Sequence, residues 1–178
     1  MDIIEQAARL LRAGELVAFP TDTVYGVGAI AWDEPAVAKL YAAKLRAKDK
    51  AIPILLADPE ELALVARGLP PAVMRLAVRF WPGPLTIVVP RAARVPDEVT
   101  AGGDTVAVRV PDHPLARALI RSAGAPLATT SANLSGGANA VTAQEVREQL
   151  GGRVALIVDG GRCPGGLPST VVDVSGGE

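Results

Sequence analysis

Residues 44–50 read Lys-Leu-Arg-Ala-Lys-Asp-Lys, four cations and one acid in a chain whose formal net charge is −1. Three chemistries fit such a cluster: a solvated loop, a nucleic-acid patch, or a clamp on one phosphorylated ligand. Helix phase separates its members. Val37, Leu40, Tyr41 and Lys44 recur at i, i+3, i+4 and i+7, so Lys44 falls on the apolar stripe of a helix predicted over 34–44. Arg46 reaches the same anion only if that helix ends near Lys44 and the chain turns. Arginine would then offer bidentate donors and lysine a point charge. Lys48 and Lys50, with Asp49 between them, read as solvated loop or as a rim that steers anions inward.

Three more stretches follow aliphatic runs and carry hydroxyls or glycines, where ligands gather in open α/β sheets. Pro20-Thr21-Asp22-Thr23-Val24-Tyr25-Gly26 offers two threonine hydroxyls and a glycine for a tight path. Thr129-Thr130-Ser131-Ala132-Asn133-Leu134-Ser135 groups small hydrogen-bonders whose size exposes backbone N–H groups. Residues 159–171 combine glycines, which imply an unusual backbone path, with Ser169 and Thr170 at the start of a strand. Arg109 stands alone in the apolar run Val106-Ala107-Val108-Arg109-Val110 and needs an anion, either a ligand carboxylate or an internal Asp.

Several chemistries are set aside. One His and one Cys cannot build an ordinary zinc site, and Cys163 has no partner for a disulfide. His113, at a helix start, reads as structural. There is no G-x-x-x-x-G-K-[ST] loop, G-x-G-x-x-G fingerprint or G-x-S-x-G elbow. Hydroxyls, glycine backbone, Lys and Arg remain, a set that binds anions and positions groups without a strong nucleophile. The near-neutral net charge makes any electrostatic recognition local. The N-terminal stretch does not read as a signal peptide, and no apolar run reaches spanning length, so a soluble cytoplasmic protein with no membrane partner is expected.

The elements that must position these residues alternate. Helices are predicted over 3–13 (Asp2 as cap, Glu5 at the capping-box position, Gly14 as stop), 34–44 (Asp33 as cap), 59–67 (Asp58 as cap), 71–81, 113–123 and 142–150, the last opened by a Thr142/Glu145 box. Strands are predicted at 15–19, 27–31, 52–57, 85–90, 105–111, 126–130, 154–161 and 169–174. The strands are continuous aliphatic runs, which places helices on both faces of the sheet. With 178 residues, 49% of them hydrophobic and only 3% aromatic, one α/β domain over 1–178 with a mixed open sheet is expected. The spacing is not strictly β-α-β, so a plain doubly wound order is not expected.

Taken in order, Pro20–Gly28, Lys44-Leu45-Arg46, Trp81–Thr86, Val106–Pro114, Thr130–Gly136 and the Asp159–Asp173 stretch resemble the YrdC-like (TsaC) threonylcarbamoyl-AMP synthase family over about residues 4–174. The resemblance implies a twisted YrdC/RibB-like sheet around a deep basic cavity. It implies synthesis of threonylcarbamoyl-adenylate from L-threonine, bicarbonate and ATP with release of pyrophosphate, feeding N6-threonylcarbamoylation of adenosine 37 in tRNA. It also implies partners in the tRNA threonylcarbamoyl-transfer machinery.

Carried over by position, Thr21, Arg109, Thr129 and Ser169 would hold threonine, with Arg109 on its carboxylate. Lys44, Arg46, Ser131 and Asn133 would hold ATP, with Lys48, Thr105 and Asn139 as further nucleotide candidates. Lys44, Arg46 and Ser131 would be catalytic, and replacing Lys44 would cut turnover while leaving the fold intact. Mg²⁺ would arrive with ATP, with no protein metal site.

Ala47 and Ala51 stand where many members have proline, and Ile52–Leu56 lacks the His some longer members carry. Longer members add a domain over the nucleotide; here ATP would be covered otherwise or left more open. The competing expectation is a module that binds tRNA or double-stranded RNA in the same basic cavity. A third is a carbamoyl-transfer module of the hydrogenase-maturation kind.

Overall fold

Where a helix end is fixed by its own residues, the sequence places it well. Thr142 accepts from the Glu145 N–H at 3.3 Å, and Glu145 accepts from the Thr142 N–H at 3.1 Å, closing the box that starts α7 (Ala143–Leu150). Asp33 accepts from the Ala36 N–H at 3.0 Å and starts α2 (Glu34–Lys44). Gly124, at φ +76°, ends α6 (Pro114–Ala123). Tertiary partners override other local signals. Asp2 caps α1 (Ile3–Arg12), but Glu5 closes no capping box: its carboxylate takes Arg12 at 2.9 Å and the Ser122 hydroxyl at 3.1 Å. Asp58 caps nothing either. Arg117 and Arg121 of α6 bind it at 2.7 and 2.6 Å, holding its carboxyl down at about 2. The predicted 59–67 helix accordingly splits into a 3₁₀ turn at Pro59–Glu61 and a short α3 (Leu62–Val65). Helix α4 (Pro71–Phe80) is as expected, and α5 (Asp97–Thr100) is an unanticipated single turn.

The computed structural model describes residues 2–176; Met1, Gly177 and Glu178 of the expected domain lie outside the described residues. Its strands are β1 (Val17–Phe19), β2 (Gly26–Ile30), β3 (Ile54–Leu55), β4 (Leu85–Pro90), β5 (Thr105–Arg109), β6 (Leu127–Ser131), β7 (Leu156–Ile157) and β8 (Thr170–Asp173). They form one mixed sheet in the order β7-β1-β2-β6-β3-β5-β4-β8. The predicted strands at 52–57 and 154–161 contribute only two paired residues each.

Register decides which residues share a face. Gly26 pairs with Ser131, Gly28 with Thr129, Leu55 with both Leu127 and Arg109, and Ile87 with Val108. Counting in steps of two puts Phe19, Gly26, Ser131, Thr129, Leu127, Leu55, Arg109 and Thr86 on one face. Helices α1 and α6 cover its β1, β6 and β3 part, with Ala7, Leu11, Leu119 and Ile120 packed on Val17, Phe19, Leu55 and Leu127. The opposite face carries the larger cluster, with Val37 and Leu40 of α2, Val73 of α4 and Val146 of α7 on Val27, Ile54, Ile87 and Val108.

Helices thus lie on both faces, as the aliphatic runs predict, but unevenly. Along β4 and β5, Val88, Pro90, Thr105 and Ala107 are only half-buried while their neighbours are buried. Beyond them Val171 and Asp173 of the edge strand β8 are exposed. The part of the first face that α1 and α6 do not reach is therefore open.

Candidate functional site

The site occupies the boundary between the covered and open parts of that face. A pocket of about 270 Å³ is walled by Thr21 and Thr23–Gly26 between β1 and β2, by Arg46 and Ala51, by Pro53 and Leu55, by Thr86 and Arg109, by Thr129–Ser131, and by Pro168 and Ser169. It lies over the sheet face, not beyond a shared carboxyl edge. The physical reason is the mixed strand order: β2, β3 and β5 run opposite to β1, β6 and β4, so the strands have no common carboxyl end. Gly26 helps keep the face low. A Cβ there would come within 2.8 Å of the Thr129 side chain, so its glycine serves close strand approach, not a turn conformation.

Arg109 is the buried cation of this wall, 6% exposed. Its Nε donates to the Gly83 carbonyl at 3.0 Å, one Nη donates to Thr23 Oγ1 at 3.0 Å, and the other donates to the Asp22 carboxylate. Of the two answers open in the sequence, the internal Asp is present. Burial pulls the Arg109 pKa down, and Asp22 opposes that shift. A guanidinium has five N–H bonds; these contacts use three, leaving one on each terminal nitrogen.

The hydroxyls beside it have an ordered set of protons. Thr21 donates to the Val24 carbonyl at 2.7 Å and accepts from the Thr23 N–H at 3.1 Å. The 3.0 Å contact between Thr21 and Thr23 must then have Thr23 as donor, because Thr21 has spent its single proton. Thr23 in turn accepts from Arg109 and keeps one lone pair. Thr129 donates to the Leu127 carbonyl at 3.2 Å, so it too faces the pocket as an acceptor. Thr86 and Ser169 share one hydrogen bond at 2.7 Å, which leaves one hydroxyl proton between them free to donate.

The glycine-rich segment 159–168 is a strap over this wall. The Gly165 and Gly166 N–H groups donate to the carbonyls of Asp22 and Thr23 at 3.0 and 2.8 Å. Tyr25 donates to the Gly161 carbonyl at 2.7 Å and accepts from the Gly160 N–H at 3.2 Å. Gly161 and Gly166 have φ of +83° and +73°, the unusual path expected of this stretch.

Lys44 and Arg46 part company. Helix α2 ends at Lys44, and Leu45 takes a left-handed conformation at φ +53°. The chain therefore turns between the two cations, and Arg46 lines the pocket. It donates to the carbonyls of Lys50 and Ala51 at 3.3 and 2.9 Å, with no carboxylate partner among the described residues. Lys44, 1% exposed, is not on the pocket wall. Its ammonium lies behind Ser131, donating to the Ser131 carbonyl and to the Asn133 carbonyl at 2.7 Å, with Ser131 Oγ at 3.5 Å. Burial, and then the nearby Arg46 charge, push its pKa down to about 8.

The remaining sequence candidates scatter. Asn133 is buried outside the pocket wall, its amide donating to the carbonyls of Leu134 and Gly137 at 2.9 and 3.1 Å. Lys48 and Asn139 are exposed on separate loops. Thr105 is half-buried on the open face, at the far end of β5 from Arg109. His113, just before α6, has a buried Nδ1 without a hydrogen-bond partner among the described residues, and burial lowers its pKa. Sequence reasoning nominated neither Asp22 nor Thr86 and gave Thr23 only as a hydroxyl of its turn, with no assigned role. The signal for all three was their place inside Pro20–Gly26 and Trp81–Thr86, stretches already singled out. Among the described residues no group of three or more His, Cys, Asp or Glu could hold a metal.

A family model for Sua5/YciO/YrdC, described as telomere recombination, matches residues 9–178. The chain belongs to the Sua5/YciO/YrdC family. It is similar to a threonylcarbamoyl-AMP synthase of Bacillus subtilis, 49% identical over 95% of this chain and 49% of that protein. It is also similar to a threonylcarbamoyl-AMP synthase of Vibrio vulnificus, 38% identical over 88% of this chain and 86% of that protein. The crystal structure of Pyrococcus abyssi Sua5 complexed with L-threonine matches with a TM-score of 0.94 at 46% identity, over 96% of this chain and 50% of that one. The chain spans about half the length of the first curated relatives it matches.

Proposed function

We propose that this chain is a threonylcarbamoyl-AMP synthase, joining L-threonine, bicarbonate and ATP into threonylcarbamoyl-adenylate and pyrophosphate for tRNA modification. The observation that carries the reading is convergence. Residues from five separated stretches of the family pattern, Thr21, Arg46, Arg109, Thr129–Ser131 and Ser169, wall one pocket.

The pocket's polarity suits an amino acid. The two spare Arg109 N–H bonds and the Thr86/Ser169 proton suit a carboxylate, while the acceptor-only Thr23 and Thr129 suit an amine. At about 270 Å³ it is just below the range of ligand pockets, roughly 300 to 1,000 Å³ for drug-sized molecules, a size that suits an amino acid. A nucleotide would extend past it along the open face, towards Thr105, with Lys48 at the rim.

In this reading the threonine amine forms a C–N bond to CO₂ with loss of a proton, or to bicarbonate with loss of water, giving a carbamate. A carbamate oxygen attacks the α-phosphorus of ATP, and the bond to pyrophosphate breaks. The chain contributes positioning and charge, not a covalent intermediate. Arg109 orients threonine, Arg46 meets the phosphates, and Ser131 offers its hydroxyl with the Lys44 charge fixed behind it. Magnesium bound to ATP would add charge neutralisation at the phosphates. Transfer to tRNA would fall to other proteins.

The test is pyrophosphate release from ATP by the purified chain, with threonine and bicarbonate omitted in turn. Release that needs both supports the reading. No release, with salt-sensitive binding of double-stranded RNA, would favour the RNA module instead.

A further inference from the structure

Asp22 is not on the pocket wall, yet it decides how the wall's main cation is presented. Its carboxylate takes one Nη of Arg109, and the adjacent Thr23 takes the other at 3.0 Å. Both acceptors come from one turn, and the strap holds that turn from behind. The Asp22 carbonyl accepts from Gly165 at 3.0 Å, and a Cβ on Gly165 would stand 2.6 Å from that same oxygen. Asp22 is thus fixed by the fold before any ligand arrives.

We propose that Asp22 is a positioning residue for the amino-acid carboxylate, acting through Arg109. A buried guanidinium without an anion would swing towards whatever acceptor or water it could find. Asp22 and Thr23 pin both terminal nitrogens, so the remaining N–H bond on each is held in place. A carboxylate then meets donors whose ordering cost was met on folding. The pair also cancels its own charge, so affinity at this wall comes from geometry more than from net attraction. The burial that lowers the Arg109 pKa and the Asp22 charge that opposes it agree with this arrangement.

The inference rests on the amino-acid reading of the pocket, and its test separates the two. L-threonine and ATP affinities are measured by calorimetry for the wild-type chain, Asp22→Asn and Thr23→Val, each with its melting midpoint. Asp22→Asn should weaken threonine about tenfold or more, the scale of one charge-assisted hydrogen bond, and leave ATP within about twofold. Thr23→Val, which keeps the ion pair but removes both an Arg109 partner and an acceptor facing the amine, should weaken threonine by about threefold, less than Asp22→Asn. Unchanged threonine affinity in Asp22→Asn overturns the inference alone. If that variant does not fold, Asp22→Glu, which keeps the charge and moves it by one methylene, is measured in its place, and unchanged threonine affinity in it overturns the inference. A wild-type chain that binds no threonine sinks both the inference and the function it rests on.

Discussion

Arg109 and Lys44 are both buried cations near one pocket, but the regions that hold them answer the charge differently. Arg109 meets the Asp22 carboxylate on a turn tied down by the 159–168 strap. Lys44 meets no carboxylate, only the Ser131 and Asn133 carbonyls and the Ser131 hydroxyl, and has a second cation, Arg46, close by. The first region is locally neutral and preorganised. The second keeps its positive charge, the property that the proposed nucleotide role of Arg46 and Lys44 would draw on. A neutral clamp can select by shape, and a charged one draws by field.

The contrast can be broken most severely at Arg109. Arg109→Leu leaves Asp22 without its counter-charge and should cost about 3–5 kcal/mol of stability, with threonine-dependent turnover lost. Urea denaturation measures it, and a cost under about 1 kcal/mol would mean that the pair is not a buried one at all. Lys44→Met should cost less, about 2–3 kcal/mol, because it strands two carbonyl acceptors but no opposite charge. At 1% exposure its ammonium ties the 131–133 loop to helix α2, so the same measurement tests the sequence expectation that replacing Lys44 leaves the fold intact.

The smallest effect sharpens the comparison through pH. Lys44 has its pKa lowered from 10.5 to about 8, so between those values the unfolded chain holds a proton that the folded chain has released. Stability should therefore rise with pH across that window, relative to Lys44→Met. Parallel urea midpoints for the two proteins would show that the burial penalty on Lys44 is absent. Arg109, paired with Asp22, should give no such slope there.

What the sequence made legible follows from how far each interaction reaches. The Thr142/Glu145 box spans one helical turn, and the Lys44 stripe spans two; both are written in local spacing and both appear as read. Arg109 could be marked as needing an anion, but Asp22 lies 87 positions away, and only the folded sheet brings them together. Distance also defeated the capping assignments at Glu5 and Asp58. Each has the right residue beside a helix start, but Glu5 is taken by Arg12 further along its own helix and by Ser122 of α6, and Asp58 by Arg117 and Arg121 of α6. The pocket's position on a sheet face was hidden for a related reason. Strand direction is a property of pairing, and three of the central strands run against the rest.

Leu45 gives the Lys-x-Arg triplet a meaning that its letters do not carry. The middle side chain is 66% exposed; what matters is the left-handed φ of +53° that sends one cation inward and the other to the pocket. The triplet is therefore a backbone instruction more than a chemical one. A pattern search that rewards hydrophobicity at its centre would score the wrong property. Scoring that position for tolerance of positive φ, which glycine and asparagine have most readily, would recognise the same device in sequences with quite different letters.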